Sequence, residues 1–418
     1  MRALLFAATL IVPPALAAQP DRPRHRFTPP DTAAADTTPG HALLDLGVHR
    51  AGISFGNSAR WTGLRLNLRD RGVQRIDGVN LTLWKAATNA NRHAVVNGLA
   101  LGVVGPEAGW LNGVTVGVVG ALAHQRMAGI NLGGLGLVSD GAMDGVNLGG
   151  LGLVSDGRMR GINVGGLGAV ADGGMSGLNV GGLGVVADGG LWGVTLGGLG
   201  AVSDGRMTGI ALAGLGTVAD GGMTGVAAGG LGVVAEGGIR GAGLAGLGVV
   251  ADGGIRGLAV GGLAVVADGG ITGLAAGGLA VVADGGITGL AAGGLAVVGE
   301  GGIRGLAVSL GEINSWRRDD DQEADVRRAR IEGLAATLYR IRTREAIGWM
   351  VAGWIKAEEA RGLTMAAYNQ IRGPQHGLAI GVFNSADELH GVQLGVLNRA
   401  KNNKPPFRWL PIANAHLH

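Results

Sequence analysis

The chain has 418 residues, of which 85 are glycine, 47% are hydrophobic and only 4% are aromatic. This composition excludes an ordinary core built on Phe, Tyr and Trp, the lack of a Gly-X-Y triplet excludes collagen, and the lack of cysteine excludes a disulfide framework or a lipid attachment site. The formal net charge is +3, but residues 129–310 carry twelve acidic and six basic side chains, so we expect no nucleic-acid partner.

The first 18 residues have the features of an export signal. Arg2 supplies the positive charge, Ala3 to Val12 form an apolar stretch, and Ala15 to Ala18 provide a small-residue cleavage site. The polar stretch at 19–41 is typical of a disordered linker. We therefore expect an exported protein at the cell surface, in the outer membrane or in the periplasm.

A period of 16 residues organises the regular array at 129–310. Glycine recurs at this interval from Gly113 to Gly305, and an acidic residue recurs from Asp140 to Glu300. A fixed short period indicates one structural unit stacked on copies of itself. Residues 42–128 contain diverged versions of the unit and are predicted to be N-terminal β-repeats.

Each unit divides into two halves of eight residues, such as 271–278 and 279–286. Each half starts with an apolar residue and ends in Gly-Gly, which permits a tight turn, so the residues between are predicted to form short strands. Helix is disfavoured because each interior glycine costs about 1 kcal/mol relative to alanine. The predicted fold class is all-β.

Two all-β architectures fit this unit: a glycine-rich repeat β-solenoid with about 16 residues per coil, and an antiparallel outer-membrane-type β-barrel. Asp-Gly between apolar runs is a hairpin signal and favours the barrel. With two-residue turns, however, an even period would point equivalent residues inward in one strand and outward in the next. The units are also apolar or small on both faces, whereas a large barrel needs a polar lumen. We predict the solenoid and keep the barrel as the alternative.

The C-terminal part contains a charged insertion at 311–332, predicted to be a solvated loop, and further β-repeats with a cap at 333–418. The segments Gly377-Leu-Ala-Ile-Gly-Val-Phe-Asn384 and Gly391-Val-Gln-Leu-Gly-Val-Leu-Asn398 precede Pro405-Pro406. This part resembles the surface repeat-containing proteins first named in leptospires, with a looser similarity over 60–150. The resemblance implies an exported, surface-associated repeat protein without known catalysis, and it supplies no functional residues.

The periodic acids are the main chemical feature of the array. Stacking would place their carboxylates about 4.8 Å apart, a spacing that either repels or recruits cations, so Asp172, Asp188 and Asp204 are candidate metal ligands. The alternative, which we prefer, is that Asp favours the turn through its own backbone hydrogen bond. Residues 129–310 contain no His, Lys, Cys or Tyr and offer no general base or activated nucleophile. We predict no catalytic residues, no cofactor and no enzymatic activity.

The sequence thus predicts an exported cell-envelope repeat protein with a structural or adhesin-like surface-interaction role. Its expected partner is an unidentified envelope or extracellular molecule, and the aromatic C-terminal strands indicate association with the outer membrane. The alternative function is that of an outer-membrane β-barrel or pore. Exposed coil ends also predict self-association from end to end.

Overall fold

The protein is a parallel β-solenoid of about 19 turns. The computed structural model describes residues 42–87, 91–316 and 329–416, and within these ranges it contains 35 strands, β1 to β35, and no helix. The predicted signal peptide, the predicted linker and the centre of the charged insertion lie outside the described residues. No helix able to cross a membrane is found in the described ranges.

The N-terminal end of the stack begins with an antiparallel hairpin. β1 (Ala42–Val48) pairs only with β2 (Ala51–Gly56) in this hairpin, and β2 then pairs in parallel with the next strand. The strands that follow are paired in parallel in chain order: β3 (Arg60–Asn67), β4 (Arg75–Thr82), β5 (Val95–Gly102), β6 (Glu107–Gly117) and β7 (Gly120–Gly133).

In the array, short strands of mostly four residues alternate with long strands of seven or eight residues. In chain order they are β8 (Gly136–Ser139), β9 (Ala142–Gly149), β10 (Gly152–Ser155), β11 (Met159–Gly165), β12 (Gly168–Ala171), β13 (Met175–Gly181), β14 (Gly184–Ala187), β15 (Leu191–Gly197), β16 (Gly200–Ser203), β17 (Met207–Ala213), β18 (Gly216–Ala219), β19 (Met223–Gly229), β20 (Gly232–Ala235), β21 (Ile239–Ala245), β22 (Gly248–Ala251), β23 (Ile255–Gly261), β24 (Ala264–Ala267), β25 (Ile271–Gly277), β26 (Ala280–Ala283), β27 (Ile287–Gly293), β28 (Ala296–Gly299), β29 (Ile303–Ser309) and β30 (Glu312–Asn314).

The C-terminal coils continue the same stack. They comprise β31 (Arg330–Thr337), β32 (Arg340–Arg342), β33 (Glu345–Ala357), β34 (Glu359–Ala400) and β35 (Trp409–His416). β34 is 42 residues long and passes through several coils, and β35 closes the stack by pairing antiparallel with it. Both ends of the solenoid therefore carry an antiparallel strand.

Parallel pairing one coil apart decides between the two predicted architectures. β25 pairs with β27 residue for residue, Ile271 with Ile287 and Ala275 with Ala291, while β26 pairs with β28 in the same way. The long strands form one sheet, the short strands form a second, and equivalent residues lie above one another. The predicted solenoid is confirmed and the barrel alternative is wrong, because the even period is used for stacking and the Asp-Gly turns lead to the next coil instead of to an antiparallel partner.

A narrow core lies between the two sheets. We use the term row for equivalent residues of successive coils and name each row by its member in the coil 271–286. The Ile271, Ala275, Val281 and Ala283 rows point inward and are buried along most of the array. Because these side chains are small or aliphatic, the two sheets can pack closely without aromatic residues.

The glycine that defines the period lies inside a strand, not at a turn. Gly273 has φ +124°, and a Cβ there would lie 2.1 Å from the carbonyl oxygen of Gly257 in the preceding coil. The same conformation recurs through the row, for example φ +126° at Gly257. Only glycine fits such a position, since L-residues rarely adopt this φ and the approach of the preceding coil leaves no room. The Gly-Gly pattern in the sequence predicts glycine at turns, whereas this glycine is required within a strand.

Polar side chains enter the core as ladders. The Nδ2 group of each asparagine donates to Oδ1 of the next at 2.8–2.9 Å, in the order Asn131, Asn147, Asn163 and Asn179. A similar ladder in the C-terminal coils joins Asn369, Asn384 and Asn398 at 2.7 Å. These asparagines are fully buried, and their mutual bonds satisfy most of the amide groups.

A buried ion pair lies in the first coils. Arg65 contacts the carboxylate of Asp70 and donates to Asn80 Oδ1 at 2.7 Å, and Thr82 donates to Asp70 at 2.8 Å. Burial acts to raise the pKa of Asp70, but the charge and hydrogen bonds of its neighbours, above all Arg65, hold this pKa below its usual value. The first coils thus combine a buried ion pair with apolar core residues such as Trp61 and Ile76.

Candidate interaction surface

The two turns of each coil have opposite chemical character. One turn, between a short strand and the next long strand, carries the periodic acid at Asp284; the other, between the long and short strands of the same coil, carries Gly278 and Leu279. Stacking extends this difference along the rod. We call the Asp284 row, from Asp140 to Glu300, the acid edge, and the five rows of Leu274, Ala276, Gly278, Leu279 and Val282 the apolar edge.

Neighbouring acids on the acid edge repel one another. Partial burial and then the charge of Asp172 raise the pKa of Asp156, and burial and the charge of Asp204 raise the pKa of Asp220. At Glu236 the charge of Asp220 is the largest cause of the raised pKa. At Asp156, Asp220 and Glu236, burial and the charges of neighbouring acids therefore favour protonation relative to isolated carboxylates.

His124 occupies the position one coil before the first acid of the edge. Its Nδ1 lies 2.8 Å from Asp140 and its Nε2 lies 3.3 Å from Glu107. The hydrogen bond to Glu107, opposed by burial and assisted by Asp140, raises the pKa of His124. A protonated His124 thus places a positive charge at the N-terminal end of the acid edge.

The candidate metal ligands Asp172, Asp188 and Asp204 are consecutive members of the acid edge. Each lies at a turn, and its backbone N–H donates to the preceding coil at 3.1–3.2 Å. In the described ranges, no group of three or more His, Cys, Asp or Glu side chains is arranged to hold a metal ion. The arrangement thus supplies a row of separate carboxylates on a common line.

The outermost part of the apolar edge is a ridge of leucines. In the Leu279 row ten members are between 41% and 62% exposed: Leu135, Leu151, Leu167, Leu183, Leu199, Leu215, Leu231, Leu263, Leu279 and Leu295. Their backbone N–H groups donate along the rod, as from Leu279 to Leu263 at 2.7 Å. Because these groups are paired within the solenoid, the ridge presents mainly aliphatic side chains to its surroundings.

Aliphatic rows continue from the ridge onto both sheets. On the long-strand sheet the Leu274 row includes Ile130, Ile162 and Ile210, which are 41–47% exposed. On the short-strand sheet the Val282 row includes Val138 and Val154, which are 42% and 44% exposed. Contiguous exposed apolar surface of this kind marks interaction sites in soluble proteins.

A groove runs beside the leucine ridge on the long-strand sheet. It has a volume of about 720 Å³ and extends over six coils, from Val180 to Val260, with Leu212 on one wall and Gly214 on its floor. The glycines that line the groove cannot be replaced freely, since a Cβ at Gly214 would lie 2.1 Å from the carbonyl oxygen of Gly198. A second groove of about 690 Å³ occupies the same rows in the C-terminal coils, around Ile380 and Leu394.

The outer face of the C-terminal coils is aromatic and basic. Successive rings lie 5.0–6.0 Å apart between centroids in the order Trp354, Tyr368, Phe383 and Trp409, with Arg340 over the first ring and Arg399 over the last. The ring faces contact one another or a guanidinium group. This ladder therefore stabilises the last coils.

Comparison with protein families, with curated proteins and with solved structures finds no match to this chain. The period of the acids in the sequence predicts the acid edge; the apolar edge was not predicted, although Leu279 and Asp284 keep the same period five residues apart. That separation within one unit was the available signal, because it places the two residues at opposite turns.

Proposed function

We propose that the protein is an exported cell-envelope repeat protein with a structural or adhesin-like surface-interaction role. The observation that carries this proposal is the long, uninterrupted stack of nearly identical coils, with the same outer rows repeated from coil to coil. Such a rod presents an extended surface whose binding strength grows with the number of coils. The apolar N-terminal 18 residues and the resemblance to surface repeat proteins support export.

The location is tested by fractionating cells that produce the full chain. The proposal expects a protein in the envelope fraction whose mass lacks the first 18 residues, and it expects a variant without residues 2–18 to stay inside the cell. Treatment of intact cells with a protease then reports exposure at the surface. Recovery of the full-length, uncleaved chain in the cytosol would contradict the proposal.

The distributed nature of the interaction is tested by shortening the rod. Variants lacking one, two or four whole coils between residues 223 and 286 should attach to the envelope or to a surface partner in a graded manner. Complete loss of attachment on removal of any single coil, with the remainder folded, would instead indicate a single localised site. Such a result would contradict an interaction spread over the array.

A further inference from the structure

The apolar edge is large enough to form a stable protein interface. From Leu135 to Leu295 the ridge spans ten coil steps, or about 48 Å at about 4.8 Å per step. From the Leu274 row to the Leu279 row the surface is about 16 Å wide, at about 3.3 Å per residue. One copy therefore offers about 770 Å², and two copies would bury about 1,500 Å², which is the size of a standard specific interface.

The ridge and the groove are complementary in shape. The leucine ridge protrudes at the corner of the coil, and the groove over Leu212 and Gly214 lies directly beside it. Two-fold rotation about a line parallel to the rod places the ridge of one copy over the groove of the other, and the reverse. Rotation about a line perpendicular to the rod, in the plane of the interface, would instead oppose ridge to ridge.

Repeat spacing favours another copy of the same chain as the occupant. Side chains of a second solenoid recur at the same interval of about 4.8 Å. Each leucine of one ridge therefore faces a glycine of the other copy's groove over the whole length. In the parallel arrangement the two acid edges also point away from each other, which minimises repulsion between the two bands of carboxylates. We propose that the apolar edge is the interface of a parallel, side-by-side homodimer. This inference concerns the purified chain and does not depend on the envelope location proposed above.

The test compares two double variants that add the same charge to the same two coils. Leu215→Lys/Leu231→Lys alters the ridge, whereas Thr208→Lys/Thr224→Lys alters the polar row beside the acid edge. Sedimentation velocity of the purified chain should give a dimer for the wild type and for the threonine variant. The leucine variant should be a monomer, with a dissociation constant raised at least about 100-fold.

Folding of the variants is checked by circular dichroism and urea unfolding, which should match the wild type because all four residues lie on the outer surface. If the leucine pair misfolds, the milder Leu215→Ser/Leu231→Ser pair provides the same comparison. The arrangement is read from single spin labels at Ser176→Cys and at Thr272→Cys. Since the two-fold axis is parallel to the rod, both labels should show the same distance between copies, whereas an antiparallel pair would show two different distances.

Several results would overturn the proposal. They are a wild-type monomer at micromolar concentration, a dimer that survives the leucine substitutions, and scattering that shows a particle of doubled length, as pairing through the end strand β1 would produce. Flotation of a monomer with phosphatidylcholine vesicles through the leucine ridge would also contradict it. Failure of any of these tests would leave the envelope proposal to be judged by cell fractionation alone.

Discussion

At the scale of single residues, the Gly273 row sets the path of each long strand. Its φ is positive, and the carbonyl oxygen of the preceding coil occupies the space where a Cβ would lie. The constraint repeats in every coil because the coils are stacked in register. The 16-residue period of glycine is thus explained by the close approach of the backbones of neighbouring coils at this position of the long strand.

Replacement of Gly273 by alanine should destabilise the solenoid by at least about 2 kcal/mol, because strained backbone costs about 1–3 kcal/mol and the Cβ clash adds to it. The matched control is Gly248→Ala. A Cβ at Gly248 meets nothing closer than 3.6 Å, and the equivalent residue in the next coil is Ala264. Urea unfolding measures both changes, and equal effects of the two substitutions would contradict the assigned role of Gly273.

The asparagine ladder gives a second prediction at this scale. Asn163→Ala removes two ladder bonds and leaves Asn147 Nδ2 and Asn179 Oδ1 buried without partners, which should cost about 2–4 kcal/mol. The control is Thr195→Ala at the end of the row, where Asn179 Nδ2 already has no partner. The free energy of unfolding should fall clearly more for Asn163→Ala. If the threonine change costs as much, the ladder contributes nothing beyond ordinary packing.

At the scale of elements, the two turns of each coil affect stability in opposite ways. The apolar edge needs Gly278 for the close approach of coils and Leu279 for the ridge, whereas the acid edge repeats a charge that repels its neighbours. Parallel, in-register pairing of successive coils places these acids next to one another and makes the repulsion unavoidable. The energy that holds the coils together must therefore come from the buried rows and the backbone ladders.

Asp156, Asp220 and Glu236 should each contribute more stability to the array in acid than at neutral pH, because the pKa of each is raised in the folded chain. A carboxyl whose pKa is raised in the folded state contributes stability that is complete below its unfolded pKa of about 4 and is lost as the pH rises through the folded value. Asp220→Asn should therefore raise stability at pH 7 and change it little at pH 3, since burial and the charge of Asp204 both penalise the charged form of Asp220.

The measurement is the urea midpoint of the wild type and of Asp220→Asn at the two pH values. Added salt should reduce the difference at pH 7, because screening weakens repulsion between exposed charges. Asp70 titrates in the opposite direction, since its pKa is lowered and its contribution is lost in acid. Asp70 is present in both the wild type and Asp220→Asn, so its contribution cancels in the difference between them. A decrease in stability at pH 7 on substitution would contradict the account.

At the scale of the whole molecule, the coil is the unit that can be added or removed. Deletion of residues 271–286 should leave a folded solenoid that is one coil shorter, because Ile287 then follows Gly270 in the same register. Deletion of residues 279–286 places two long strands in one coil and should disrupt folding. Circular dichroism and scattering of the two variants measure the outcome, and equal tolerance of both deletions would contradict a 16-residue coil.

Much of this architecture could be predicted from the sequence, and the limits have physical reasons. The period and its even length predicted stacked coils, because equivalent residues must share an environment. The role of Gly273 could not be predicted, since a positive φ within a strand leaves no local signal that distinguishes it from a turn glycine. The apolar edge could not be predicted because the sequence does not distinguish Leu279, which lies at an exposed turn, from a leucine of the core.

The central claim is that each 16 residues advance the chain by one coil along a straight stack. Because the chain has no cysteine, pairs of spin labels can be introduced at the Thr272 row, and dilution with unlabelled chain removes distances between copies. Thr208 with Thr272, Thr208 with Arg304, and Ser176 with Arg304 are four, six and eight coils apart, so electron spin distances of about 19, 29 and 38 Å are expected at about 4.8 Å per coil. Distances that do not increase in proportion to the number of coils would contradict the solenoid.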